Sequence, residues 1–467
     1  MKLIDSLLGA AASAALLAAT PAAAQDATDA LLLKLREKGI LSDEEYEALL
    51  ARKGTAPAVT TSADTPPPPQ QAAAERLDDK KLVRTMDSGV GIQIGDVALK
   101  FSGSVNGFYV HDNGDAATAA NTVAGGLATV GDNTSSVRNG LLPGFLKVDV
   151  STTQGGWDVG AHFGMYPGIN SGLGNSGANG AGAPQALQTA GIDFRQTYLT
   201  FGRASFGEVK IGRDIGLFGS DAILNDITLL AVGTAAGNAA PSNTSLGRIG
   251  LGYIYTDFQP QITYSSPKFG GLQFAVGIFQ PLTTIGQNEV NGSPGFQAKV
   301  TYDVAPTGGG LGAHVWVGGI IQKHDATAGL PEYTGRAFDV GTKLTFGPAS
   351  LTGYYYNGTG IGTIGLFLLS TDALGRKRDS DGYYLQGTYG IGKLTLGASY
   401  GRSNLDLADG EAPSALVRYN SSWVGQARYG LNSWVTLIGE YTHTKSKAHN
   451  GNDAVSDALA AGAILFF

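Results

Sequence analysis

The 467-residue chain has no cysteine. That excludes a disulfide scaffold, a thiolate metal site and a cysteine nucleophile. It is also poor in charge: only 15% of its residues are Asp, Glu, Lys or Arg, and the formal balance is -7. The basic footprint that a nucleic-acid binder needs is therefore missing, and no nucleic-acid partner is expected. Beyond the N-terminal leader no apolar run is long enough to cross a membrane as a helix. The six histidines show no HExxH spacing and no G-x-S-x-G elbow occurs, so neither an enzyme nor a cofactor is expected. GLGNSG at 172–177 and GIGTIG at 360–365 match a dinucleotide fingerprint as letters only, because each sits in a glycine-rich loop with no helix after it. What the chain has in quantity is glycine, 69 residues, with 19 Tyr and 18 Phe. Many short strands joined by glycine-rich connections account for that texture.

The first stretch, MKLIDSLLGAAASAALLAATPAAAQ, has Lys2 at its start, an apolar run from Leu7 to Ala19 and small residues at Ala22 and Ala24. This is the layout of a secretory signal peptide, residues 1–24, cleaved after Ala24. In 25–53, Leu31, Leu32, Leu35, Leu49 and Leu50 recur at helical spacing, and Ser42 with Glu45 forms a capping box after Gly39. A short α-helical hairpin or coiled-coil arm on the periplasmic side is expected. It is too small for a core of its own, so its stripe packs on copies of itself or on another partner, or it remains a marginal helix on a flexible arm. Residues 54–96, with Pro66 to Pro69, read as an extended linker.

From 97 to 467 the texture changes to a period of two. In VALKFSGSV, Val97, Leu99, Phe101 and Val105 alternate with Lys100, Ser102 and Ser104; in GFLKVDVST, Leu146, Val148 and Val150 oppose Lys147 and Asp149. Such segments count to about 16. Short links at 153–156, 204–207, 347–348 and 430–433 alternate with long polar ones at about 111–139, 167–190, 214–257, 281–293, 324–334, 361–381, 405–415 and 444–454. One fully apolar face, one polar face and short-long alternation suit a membrane barrel, whose apolar neighbour is lipid. The expected fold is all-β: a 16-stranded antiparallel transmembrane β-barrel, wide enough to hold water. The closing AGAILFF then becomes the last strand, with Leu459, Ala461, Ala463, Leu465 and Phe467 facing lipid, and Phe466 turned inward beneath the arriving N-terminal segment.

Two stretches carry a resemblance. FRQTYLTFGRASFGEVKIGRD, Phe194 to Asp214, resembles the segment of Gram-negative trimeric general porins that leads into their long third loop, and YSSPKFGGLQFAVG, Tyr264 to Gly277, is similar to the turn and strand that follow it. The terminal Phe467 is similar to the porins' final aromatic. The resemblance implies a homotrimer of barrels in the outer membrane, each an open channel for passive diffusion of small hydrophilic solutes, with the third loop folded inward. It places Arg195 at the constriction and the third loop at about 214–257, with Asp221 and Asp226 as its acids; Lys210 and Arg213 lie on the same approach. It also implies Phe467 and Leu465 as a tag for the barrel-assembly machinery. The Pro-Glu-Phe-Gly-Gly sequence of many third loops is absent. The N-terminal arm is similar to the start of some phosphate-selective porins, so an anion- or phosphate-selective channel stands as an alternative. A structural protein that tethers the membrane to peptidoglycan through the arm stands as another.

Alternation puts further charges on the water-facing side: Lys100, Lys147, Asp149, Lys299, Lys343, Arg418 and Arg428, with Asp158, Asp193, Asp303 and Asp339 among them. Mixed signs in a narrow passage point to a general pore. Arg376, Lys377 and Arg378 form a basic run in a long loop, readable as an anion-gathering mouth, as a contact for lipopolysaccharide or as solvated surface. Asp112, Asp115 and Asp453 lack the regular spacing of a calcium site, so no metal is expected.

Overall fold

The computed structural model describes residues 83–86, 89–131, 133–169, 192–235, 244–306, 310–327 and 329–467. The expected signal peptide, the helical arm and the proline run lie outside the described residues, as does GLGNSG.

Where one side of a segment is apolar and the other polar, the chain is extended. The strands in order are β1 (Val83–Thr85), β2 (Val90–Ile94), β3 (Val97–Gly114), β4 (Thr134–Arg138), β5 (Phe145–Gln154), β6 (Trp157–Pro167), β7 (Ile192–Arg203), β8 (Gly207–Ile215) and β9 (Phe258–Ser265). They continue with β10 (Leu272–Phe279), β11 (Gly295–Val304), β12 (Leu311–His324), β13 (Tyr333–Phe346), β14 (Ala349–Thr359) and β15 (Asp379–Ile391). The last four are β16 (Leu394–Leu405), β17 (Val417–Gly430), β18 (Val435–Ala448) and β19 (Asp453–Phe466). Each long strand pairs antiparallel with its neighbours, and β19 returns to β3, from Ser456 opposite Gly114 to Phe466 opposite Ser104. Without the short β1, β2 and β4, the result is a closed 16-stranded antiparallel barrel. No described helix is long and apolar enough to cross a membrane.

The outer face is the apolar one. On β12, Leu311, Val315, Val317 and Ile321 point out and are exposed, while Trp316, Ile320, Gln322 and His324 point in and are buried. Phe108, Tyr354 and Tyr384 are further inward aromatics that are buried. The interior is thus drier on one side than mixed charges alone suggested, because the loop after β8 packs there.

Closure depends on a glycine. Phe467 and Gly103 exchange backbone hydrogen bonds of 3.0 and 3.1 Å, continuing the β19–β3 ladder to the last residue. A Cβ on Gly103 would lie 2.3 Å from the Phe467 ring. That ring also neighbours Trp434 with centroids 6.0 Å apart, at the short-turn rim where aromatic girdles belong. Below this point β3 would have a free edge, which β2 covers by pairing Val90–Ile94 with Phe101–Val97. β1 and β2 therefore bring strand structure into a stretch expected to be linker. Phe466 does turn inward; among the described residues it packs near Phe145, centroids 6.3 Å apart, and on the cluster around Phe108 and Ile464.

The long-short alternation holds, with two changes at the long-loop end. β18 and β19 run on through most of 444–454, leaving only 449–452 as a turn. Lys445 and Lys447 reach Asp453 at 3.6 and 3.5 Å across the two strands. At the top of β17 a bulge between Val417 and Tyr419 leaves Arg418 unpaired and exposed, so it is a rim residue and not part of the inward row.

Gly103→Leu is expected to displace the Phe467 ring and to cost roughly 1–3 kcal/mol of overpacking at the seam. The folded barrel's fast-running band on unheated gels reads this out. An unchanged folded fraction and melting temperature would refute the role assigned to Gly103.

Candidate functional site

A loop laid inside a barrel has backbone groups that water does not reach, and these need partners from the wall. After β8 the chain turns inward, forms a short helix at Ser220–Leu224 and a 3-10 turn at Ile227–Leu230, and returns through 244–257 to β9. Some partners are backbone groups of 140–142, just before β5, as where Leu141 N–H donates to Ala231 O at 2.7 Å and Leu142 N–H to Leu229 O at 3.1 Å; others are inward side chains of β11, β15, β17 and β18. Gln297 accepts from the amides of Leu217 and Phe218 at 2.9 and 3.0 Å. Gln386 accepts from Ile227 N–H at 2.6 Å and donates to Asn225 O at 2.9 Å. Glu440 accepts from the amides of Val232 and Gly233 at 3.1 and 2.6 Å. Gln426 and Arg428 both donate to the Ile227 carbonyl, at 3.2 and 2.5 Å. Underneath, Phe218, Ala222 and Ile254 pack with Trp316, Ile320, Tyr354 and Tyr384.

The loop's acids serve this docking. Asp221 sits 2.7 Å from Lys299 Nζ and 3.2 Å from His314 Nε2, and His314 Nδ1 lies 2.7 Å from Asp303. Burial alone pushes the Asp221 carboxyl up; the hydrogen bond from His314 and the Lys299 ammonium outweigh it and hold it below the ordinary carboxylate value. Asp226 accepts from Thr228 N–H and from the Tyr253 hydroxyl, both at 2.9 Å, and lies 3.8 Å from Arg248 Nε with both side chains fully buried. Arg248 in turn donates to Ser422 Oγ at 3.0 Å. Asp226 therefore cannot face a water column, contrary to the sequence expectation. Asp221 looks at the wall behind the loop, away from the open side.

The open side is the wall of β5 to β8. Arg195 Nε is 2.6 Å from Asp193, and its guanidinium lies over the rings of Tyr166 and Phe258 at 5.3 and 5.8 Å. A bulge between Gly164 and Tyr166 shifts the register of β6 against β7, and both Arg195 and the next residue, Gln196, border the interior. Gln196 accepts from Tyr166 and donates to Asp214 at 2.7 Å. Lys210 contacts Asp214 and lies 5.0 Å from the Tyr198 ring centre; Asp149 takes His162 at 2.6 Å. Between this wall and the loop is a cavity of about 590 Å³. Lys147, Arg195 and Arg213 border it with Asp193 and Asp257, and Arg213 is exposed at its edge. Opposite them stand Leu224, Leu229, Leu246 and Ile249, joined by Ile364 and Leu368 from the loop between β14 and β15.

Several expected charges fall elsewhere. Lys100 is exposed near the short-turn end, and Lys343 stands beside His314 on the inner face of β13. Lys299 and Arg428 hold the inner loop. In the basic run, Arg378 is taken by Glu411 at 2.5 Å and by the Thr371 carbonyl at 2.7 Å, Arg376 is taken by Asp372 at 2.5 Å, and Lys377 stays exposed. Arg378 also holds the Glu411 carboxyl below its ordinary range. That run is mainly a loop staple. The residues that sequence reading missed are the uncharged ones, Gln297, Gln386 and Gln426, with Glu440; their signal was an inward amide or acid at a strand position where a smaller Ser or Thr would have met water equally well.

A family model described as Gram-negative porin matches residues 10–449. A search of curated proteins finds no significant match. Among solved structures, the outer membrane channel DcaP of Acinetobacter baumannii is similar, with a TM-score of 0.59 and 16% identity over 82% of this chain and 99% of that one. An anion-selective porin from Comamonas acidovorans gives 0.54 and 17%, covering 79% and 100%. Salmonella typhi OmpF, in a complex with daunomycin, gives 0.53 and 14%, covering 81% and 100%. At such identities the likeness is one of fold.

Asp226→Ala strands a fully buried guanidinium and is expected to cost about 3–5 kcal/mol, visible as a lower denaturant midpoint and as new protease cleavage in 216–257; a midpoint within error of the parent would refute the pairing. The Asp221 carboxyl is depressed in the folded protein, so its contribution is complete above the ordinary value of 3.8 and lost as pH falls through the lower folded value. Protease protection of the loop should weaken in that acid range, and Asp221→Asn should remove this dependence.

Proposed function

We propose, from the premise that this chain belongs to the Gram-negative porin family, that it is a channel whose constriction is the gap between the inner loop and the wall of β5 to β8, passing small hydrophilic solutes by diffusion with a preference for anions. The family membership and the closed barrel make it an outer-membrane channel and not an enzyme. The preference is argued from one observation: Lys147, Arg195 and Arg213 border the cavity, and of the inner loop's acids only Asp257, at its return into β9, borders it with them. Asp193 and Asp257 temper the positive field without cancelling it. The anion-selective porin of Comamonas acidovorans shares the fold, and the preference here rests on this chain's own side chains.

A homotrimer is part of the proposal. Across the seam, Ala427, Gly439, Ala461 and Tyr109 stand opposite one another on the outward face. A Cβ on Gly439 or on nearby Gly425 would meet nothing within 4 Å, so the barrel itself does not demand these glycines. A flat outer face suits close approach of a second barrel, while bulky residues such as Phe296, Val317 and Phe338 cover the far side for lipid.

The reversal potential of the reconstituted channel in a salt gradient tests the preference. Arg195→Gln or Lys147→Gln should each shift the anion-to-cation permeability ratio toward cations, roughly fivefold for about 1 kcal/mol at contact distance in water; an unmoved reversal potential would sink the assignment. Gly439→Trp should leave the barrel folded and convert trimers to monomers on native gels. A trimer that survives it places the interface elsewhere.

A further inference from the structure

The two sides of the constriction are chemically unlike. On one, Arg195 is spread over aromatic rings with Lys147 and Arg213 nearby; on the other is hydrocarbon. Leu224 is 55% exposed, although the other four residues of its short helix are buried. A leucine held open to a narrow water column lacks a packing partner, and its neighbour Asn225 turns its side chain back to the Asp221 carbonyl at 2.9 Å. Leu229 and Leu246 extend the same apolar strip along the cavity.

Water between a cation and hydrocarbon hydrogen-bonds on one side only. A fully hydrated anion such as inorganic phosphate can answer the cations but keeps that water in place. A carboxylate with a hydrocarbon tail answers both sides: the head lies against a planar guanidinium, and the tail releases water from the leucines. We propose, resting on the reading of this chain as an open channel, that its constriction selects amphipathic organic monoanions, the carboxylate toward Lys147, Arg195 and Arg213 and the tail along Leu224, Leu229 and Leu246. Asp193 and Asp257 keep the head-group attraction moderate, as passage requires, since a solute bound too firmly blocks.

The test uses the full chain reconstituted in planar bilayers at neutral pH, with potassium chloride as the conducting salt. Acetate, butanoate, hexanoate, neutral hexanamide and inorganic phosphate are added in turn, and interruption of the chloride current is read. Apparent affinity should rise at least about tenfold from acetate to hexanoate, which needs only partial burial of each added methylene. Hexanamide should fall at least about tenfold below hexanoate. Leu224→Asn should flatten the chain-length series, and Arg195→Gln should narrow the gap between hexanoate and hexanamide. A channel that conducts but treats acetate and hexanoate alike, or holds phosphate as well as hexanoate, overturns this inference and leaves the channel reading standing. A chain that conducts nothing overturns both.

Discussion

The docking of one irregular loop against one wall is the constraint on which the rest of the interior depends. The described residues of that loop, 216–235 and 244–257, contain little regular hydrogen bonding of their own, and they lie where bulk water is excluded on one side. Gln297, Gln386, Gln426 and Glu440 answer loop amides and carbonyls from four different strands. Because the contacts are directional, they fix the loop's position as well as its stability. The asymmetry of the lumen follows. Strands β11 to β18 carry Trp316, Tyr354 and Tyr384 inward because the loop keeps that side dry; strands β5 to β8 carry Lys147, Asp149, Arg195 and Lys210 because that side stays wet.

The barrel was legible in the sequence wherever a strand crosses the apolar belt. There one face meets lipid and the other meets water or the loop, and the period of two is forced. Above the belt both faces meet water, so the signal disappears. Lys445, Lys447 and Asp453 read as loop for this reason, although they belong to β18 and β19 and pair across them. Arg418 was misplaced by the same counting, since one extra residue in β17 breaks the alternation. β2 escaped notice because its role is to cover an edge, which depends on where β19 stops and not on β2's own pattern.

The site was legible in part. Motif and alternation both pointed to Arg195 as a lumen residue, and it borders the cavity even though a bulge in the β6–β7 ladder intervenes; its place at the constriction belongs to the proposal. Asp226 was not legible. In GLFGSDAILNDITLL no periodicity says which side of the chain meets the wall, and an acid in a channel loop reads naturally as facing solutes. Its direction is decided by Arg248, 22 positions later in the sequence and fully buried beside it. A buried pair between two parts of one loop leaves no local trace.

That displacement of the acids bears on what the proposed constriction can discriminate. Opposed charges across a gap set up a transverse field, which orients a polar solute and acts on both ion signs. Here Asp221 and Asp226 hold the loop to the wall and to itself, and the side that looks across the gap is left as Leu224, Leu229 and Leu246. The field from Lys147, Arg195 and Arg213 then has no partner on the far side, and its sign is set by one wall alone. In the constriction proposed here, discrimination by charge and discrimination by shape are separable in space, head against one surface and body against the other. The docking that gives the loop its stability is therefore also what turns Asp221 and Asp226 away from the gap.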